Sequence, residues 1–171
     1  MPIEQWDHDD LVYEHILMYA LPDDAWSVEL YAGRIPDRRH LITVLVHDED
    51  PTRATHVLLS RGELPLPLLR RFLDVVEREE SVRDGPWATE PTEERHYGFQ
   101  TGYVLPHRAW SLELAAIRPA LHTLVIAEVF DEEPRPTRVL FGDGELPLAD
   151  LRRFLESVDE EEQRRGFALV S

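Results

Sequence analysis

Tyr19-Ala-Leu-Pro-Asp-Asp-Ala-Trp-Ser-Val-Glu-Leu30 returns later in the chain as Tyr103-Val-Leu-Pro-His-Arg-Ala-Trp-Ser-Leu-Glu-Leu114. A second pair of blocks keeps the same order. Gly62-Glu-Leu-Pro-Leu66 runs into Leu69-Arg-Arg-Phe-Leu73, and Gly144-Glu-Leu-Pro-Leu148 runs into Leu151-Arg-Arg-Phe-Leu155. A period this long exceeds a solenoid unit and reads as a duplicated half-domain. Residues found in both copies read as fold; residues found in one are candidates for function.

Outward from these blocks, Leu11, Tyr13, His15, Leu17 and Tyr19 alternate with Val12, Glu14, Ile16 and Met18, the period-two pattern of a strand. Its counterpart is Tyr97, Phe99, Thr101 and Tyr103. Leu21-Pro-Asp-Asp24 supplies turn chemistry. Trp26, Val28, Leu30 and Ala32 share one face of a second strand. Residues 40–46 are a nearly continuous β-branched run, as expected of a central strand, and 55–59 make a fourth. After Gly62 the period turns helical through Leu69, Phe72, Val75 and Val76, with Pro65 and Pro67 where a first turn tolerates them. Leu148, Leu151, Phe154, Leu155 and Val158 repeat that helix.

The expected fold class is therefore α+β, with two ββββα repeats forming antiparallel meander sheets with covering helices. One helix covers only part of the apolar face of a four-stranded meander, so two halves are expected to close on each other. The expected organisation is a single pseudo-symmetric domain over 1–171, with repeat one at 11–80, a linker at 81–94 and repeat two at 95–166. Gly85-Pro86 and Gly166 are the expected helix stops.

Composition narrows the function classes. The chain has 171 residues, 43% of them hydrophobic, and a formal net charge of −16. The negative sign holds along the whole chain: residues 19–80 carry twelve acids and eight Arg, and residues 103–162 carry thirteen and six. Such a field repels phosphate backbones, so nucleic acid is disfavoured as a partner. No apolar run approaches the roughly 18 residues of a membrane span. The acidic start of the sequence lacks the basic and apolar regions of a secretory signal, so a cytoplasmic location is expected. Zero cysteines exclude disulfides and thiolate chemistry. All 18 basic residues are Arg, and Lys and Asn are both absent, a bias that points to a GC-rich genome such as an actinobacterium's.

The duplicated ββββα order resembles the Whirly/PC4/PUR group, in which curved sheets are clasped by helices and single-stranded nucleic acid is the implied ligand. Acidic SsgA-like proteins of actinobacteria are similar in architecture, and that similarity implies protein contacts instead. Both resemblances are topological and carry over no functional residue.

The repeats sort the remaining candidates. Ser27 and Ser111 occupy equivalent strand positions without a glycine-flanked elbow, which marks them as structural; no catalytic residue is assigned. Trp26 and Trp110 read as core anchors. Trp6 and Trp87 lie in an acidic arm and in the linker, where they would either pack back on the domain or contact a partner. Arg34, Arg38, Arg39 and Arg53 form the most asymmetric basic patch and are candidates for binding an acidic partner. His15, His40, His47 and His96 lack counterparts and are candidates for a pocket between the repeats. His40 and His47 are too far apart on one strand to share an ion, so no metal and no cofactor are expected. Arg70 with Asp74, and Arg152 with Glu156, are spaced for pairs along their own helices.

These readings favour a non-catalytic, acidic protein-binding or regulatory module with a protein partner and an open possibility of homo-oligomers. The alternatives are a single-strand-binding protein of Whirly/PUR type, an immunity or antitoxin protein covering a basic toxin surface, and a small-molecule enzyme with a site between the repeats.

Overall fold

A computed structural model of the chain describes residues 3–34, 36–47, 54–81, 97–117, 120–131 and 135–165. The expected linker, the helix stops at Gly85-Pro86 and Gly166, and the candidates Arg53, Trp87 and His96 lie outside these residues.

The protein is α+β, with two antiparallel sheets and two helices among the described residues. The first sheet runs in the order β1 (Ile3–His8), β2 (Leu11–Ala20), β3 (Ala25–Ala32), β4 (Arg39–His47), β5 (His56–Leu59) and β11 (Gly144–Pro147). The second runs β6 (Gly62–Pro65), β10 (Arg138–Phe141), β9 (His122–Phe130), β8 (Ala109–Ala116) and β7 (Tyr97–Val104). Helix α1 spans Leu66–Ser81 and α2 spans Leu148–Arg164.

Two expectations are corrected, and an element the sequence left undefined is added. Gly62–Pro65, whose proline reads as part of a first helical turn, and its counterpart Gly144–Pro147 are short strands, so five strands rather than four precede each helix from Leu11 and from Tyr97 onward. The sheets are also more than meanders: β6 pairs with β10, with Gly62 opposite Phe141, and β11 pairs with β5, with Gly144 opposite Leu59. A proline ends each of these strands, where its missing N–H costs no ladder bond. Finally, the acidic arm is strand β1. It pairs with β2 and sets Trp6 opposite Tyr13.

The crossing strands explain two glycines. A Cβ on Gly62 would sit 2.6 Å from Leu41 Cδ2, and one on Gly144 would meet Leu124 Cδ2 even more closely. Each helix starts where its strand ends. The Leu66 N–H donates to the Thr137 carbonyl at 2.8 Å, and the Leu148 N–H donates to the Thr55 carbonyl at 2.9 Å. Two N–H groups that a helix start would leave unpaired are satisfied in this way.

One apolar core draws on both sheets and both helices. Val28, Leu30, Ile42, Val44 and Val57 come from the first sheet, Leu112, Val125, Ala127 and Val139 from the second. Leu69, Phe72 and Val76 of α1 and Leu151, Phe154 and Val158 of α2 fill it at helical spacing. Trp26 and Trp110 are half-buried at its margin rather than at its centre. Leu21–Asp23 and Leu105–His107 form single 3-10 turns, each closed by a left-handed residue, Asp24 at φ 46° and Arg108 at φ 50°.

The helix arginines bridge the helices instead of pairing along them. Arg70 meets Asp159 and Glu162 of α2, and Arg152 meets Glu80 of α1. Because each contact joins the start of one helix to the end of the other, the helices lie antiparallel.

Candidate functional site

Four strands bound the two sheets, and three of them resist further pairing. β6 and β11 are four residues long, and each carries a glutamate and a terminal proline. β1 carries Glu4, Asp7 and His8. Short length, proline and charge are the devices by which proteins protect sheet edges.

β7 has none of them. Its eight residues, Tyr97-Gly-Phe-Gln-Thr-Gly-Tyr-Val104, include no charge and no proline in a chain that is 30% charged. One edge pairs with β8 in unbroken register from Tyr97 opposite Ala116 to Val104 opposite Ala109. Among the described residues, nothing pairs with the other edge. Among these residues, the backbone N–H and C=O groups on that edge face no other strand.

The side chains at this edge are mostly exposed and uncharged, with Gln100 donating to Glu113 at 3.1 Å and Tyr103 donating to Asp131 at 3.4 Å. Phe99 is 51% exposed although it lies on the core-facing side, where its ring meets Phe154 of α2 edge-on at 6.0 Å. Tyr103 is 40% exposed and sits edge-on to Trp110 at 5.3 Å, and the Arg165 guanidinium covers the Trp110 ring at 4.2 Å. Ile117 and Leu105, next to the two ends of the strand pair, are also exposed. Gly98 leaves room that the Ile117 side chain takes up, whereas a Cβ on Gly102 would meet nothing within 4 Å. The protein's own packing thus does not require a glycine at 102, and a strand glycine marks a place where another backbone can come close.

In the first sheet the comparable rim is filled. Trp6 of β1 is 2% exposed, stacks on His15 with ring centroids 5.4 Å apart, and carries the Arg71 guanidinium over its face at 4.2 Å. Trp6 is thus a core residue. Burial pushes the His15 pKa down, and Glu4, 3.6 Å from Nδ1, only partly offsets it.

The remaining sequence candidates are dispersed. His15 shares the core-facing side of the first sheet with Leu30, while His40 and His47 lie on the opposite side at the two ends of β4. His40 lies between Ser60 Oγ at 2.5 Å and Thr43 Oγ1 at 2.6 Å, and burial lowers its pKa. Arg38 is bound to Glu14 at 3.2 Å and lies over the Tyr31 ring at 4.1 Å, whereas Arg34 and Arg39 are exposed. Burial, then the Tyr31 hydrogen bond to Glu29, raises the Tyr31 pKa to about 12. Ser27 donates to the same glutamate at 3.0 Å, the local satisfaction expected for it.

A shallow surface pocket of about 440 Å³ is lined by Arg61, Leu121, His122 and Ile126, and by none of the candidate histidines. Among the described residues, no three His, Asp or Glu side chains are grouped to hold a metal ion, and no helix is long and apolar enough to cross a membrane.

The sequence signal for β7 was available as an uncharged run in a highly charged chain. The repeat hides it, because Tyr103 belongs to a repeated block and Phe99 stands where His15 does. Compared with protein-family models, curated proteins and solved structures, the chain gives no match.

Proposed function

We propose that this protein is a protein-binding or regulatory module, without catalysis of its own, that takes up its partner by strand addition at the open edge of β7. The observation that carries the reading is the contrast among the four sheet edges: β7 alone combines full strand length, no charge, no proline and an exposed aromatic. In strand addition, backbone hydrogen bonds supply affinity and alternate side chains supply selectivity. Phe99 and Tyr103 are the side chains that would select.

The same reading includes a fused pair of related halves. The sequence blocks fall on corresponding elements, from β3 and β8 to α1 and α2, and their last strands are exchanged. In this view β1 closes the rim of the first half and the partner closes the rim of the second. The field of −16 keeps nucleic acid away and favours a protein ligand.

Affinity capture from native lysate tests this, with the protein and a Phe99→Glu variant run in parallel. Species retained by the protein and lost with the variant support it. A captured set indifferent to Phe99→Glu, or turnover of a small molecule by the purified protein, overturns it.

A further inference from the structure

We infer that the strand added to β7 is β7 of a second copy, paired antiparallel about a two-fold axis through Thr101. This rests on the strand-addition reading above and names its partner.

The residue pattern is self-complementary about that point. With Thr101 opposite Thr101 of the second copy, Phe99 falls opposite Tyr103, Gln100 opposite Gly102, and Gly98 opposite Val104. The two exposed aromatics then form two identical cross-strand pairs on the core-facing side, and Thr faces Thr between them. Aromatic pairs and Thr–Thr pairs are among the stabilising cross-strand neighbours. On the other side each Gln100, whose amide donates to Glu113 of its own copy at 3.1 Å, falls opposite a Gly102, so no side chain crowds it across the seam and a glycine that the chain's own packing leaves unexplained gains a use. A centre at Gln100 would instead set Phe99 opposite Thr101 and lose the aromatic match.

Charge favours the same occupant. Two copies of a −16 protein repel each other, so they meet best along a strip that carries no charge, and β7 is such a strip. A two-fold arrangement uses the same patch on both copies and closes after one pairing, so an open edge leads to a dimer and not to a fibre. The product is one continuous sheet made from both second sheets, with both core faces on the same side and Leu105 and Ile117 at the ends of the seam. The interface is small, so dissociation on the order of micromolar is expected.

Sedimentation and cross-linking test the proposal on the full chain. The protein should move from monomer to dimer across micromolar concentrations, more readily in high salt, and Phe99→Glu should weaken the dimer at least tenfold with its circular dichroism unchanged. Because the chain has no cysteine, Thr101→Cys gives a single thiol on the proposed axis. It should oxidise to a disulfide-linked dimer, whereas Gln100→Cys, set diagonally from its mate, should link far less. A protein that stays monomeric to millimolar concentration, or a dimer that ignores Phe99→Glu and leaves Thr101→Cys unlinked, overturns the proposal. If the protein is monomeric and Phe99→Glu still releases a captured partner, the second copy is excluded while strand addition stands. If neither association responds to Phe99→Glu, both fall.

Discussion

Arg152 on α2 donates to Glu80 on α1 at 2.6 Å, and the other oxygen of that carboxylate accepts from Thr55 at 3.1 Å. The same triad recurs at the far end of the helix pair, where Glu162 accepts from Arg70 at 2.5 Å and from Thr137 at 2.8 Å. Glu80 and Glu162 are 8% and 9% exposed, so the arginine and threonine bonds matter to each carboxylate. Burial opposes the charge on Arg70, but Glu162 and Asp159 outweigh it and raise the arginine's pKa. Arg152 is about one-third exposed, which screens its pair and discounts its worth. Arg152→Ala is expected to cost about 1–2 kcal/mol in urea unfolding. A double-mutant cycle with Glu80→Gln should show coupling, and a cycle between Arg152→Ala and Arg70→Ala should be additive, since the two triads share no side chain. A cost for Arg152→Ala within the scatter of ordinary surface changes would show that the triad does not hold the helices.

The strand crossings predict opposite outcomes for glycines that look alike in sequence. Gly62→Ala forces Leu41 to move and should destabilise the fold by about 1–3 kcal/mol, as overpacking does. Gly144→Ala should act similarly through Leu124. Gly142→Ala should be worse, because its Cβ would meet the Thr123 carbonyl, part of the backbone, and not the end of a flexible side chain. Gly102→Ala meets nothing and should stay within about 0.5 kcal/mol. Thermal melts at submicromolar protein concentration distinguish these cases. Equal losses at all four positions would sink the account.

Much of this fold was legible because the period of apolar residues changes where the structure changes. Alternation from Leu11 to Tyr19 gave β2, the β-branched run gave β4, and Leu69, Phe72 and Val76 gave the buried face of α1. The pairing of β6 with β10 and of β11 with β5 was not legible. Four residues are too few to show a period, Pro65 and Pro147 look the same at a strand end as at a helix start, and the choice of partner strand depends on contacts remote in sequence. The inter-helix triads were hidden for a related reason. Arg70 has Asp74 at helical spacing, and only the antiparallel packing of α1 and α2 brings Glu162 closer. Trp6 was misleading because it stands between the charged residues Glu4 and Asp7, and only the pairing of β1 with β2 sets it against Tyr13 and His15. The candidate site was legible only in part: the uncharged composition of 97–104 is plain in the sequence, but that this strand lies at an edge is a property of the sheet order.

Trp6 links β1 to the core, and its substitutions should separate burial from hydrogen bonding. Its ring is almost fully buried, while its Nε1 has no hydrogen-bond partner among the described residues. Trp6→Ala should cost about 3 kcal/mol, in the range of large aromatic truncations. Trp6→Phe keeps a ring against His15 and Arg71 and removes the unpaired donor, so it should cost less than about 1.5 kcal/mol. Denaturant midpoints for the two variants provide the check. If both cost the same, the indole is held by contacts other than ring packing.

His15 gives the protein a defined response to acid. Burial holds its imidazole below the ordinary pKa of 6.5, against the pull of Glu4 and Glu79 and with a small push from Arg78. As pH falls through 6.5, the unfolded chain takes up a proton that the folded protein resists. Stability is therefore full above that pH and declines below it, until the folded imidazole is protonated as well. His40 is shifted in the same direction by burial and adds to the slope. His15→Phe places at this position the residue found at 99, keeps a ring against Trp6, and removes the titrating group. Urea unfolding at pH 7.5 and 5.5 should show a smaller loss of stability for His15→Phe than for the unmodified protein, with His15→Phe/His40→Gln flatter still. Equal losses in all three proteins would assign the acid sensitivity to the carboxylates and leave the Trp6–His15 stack with a packing role alone.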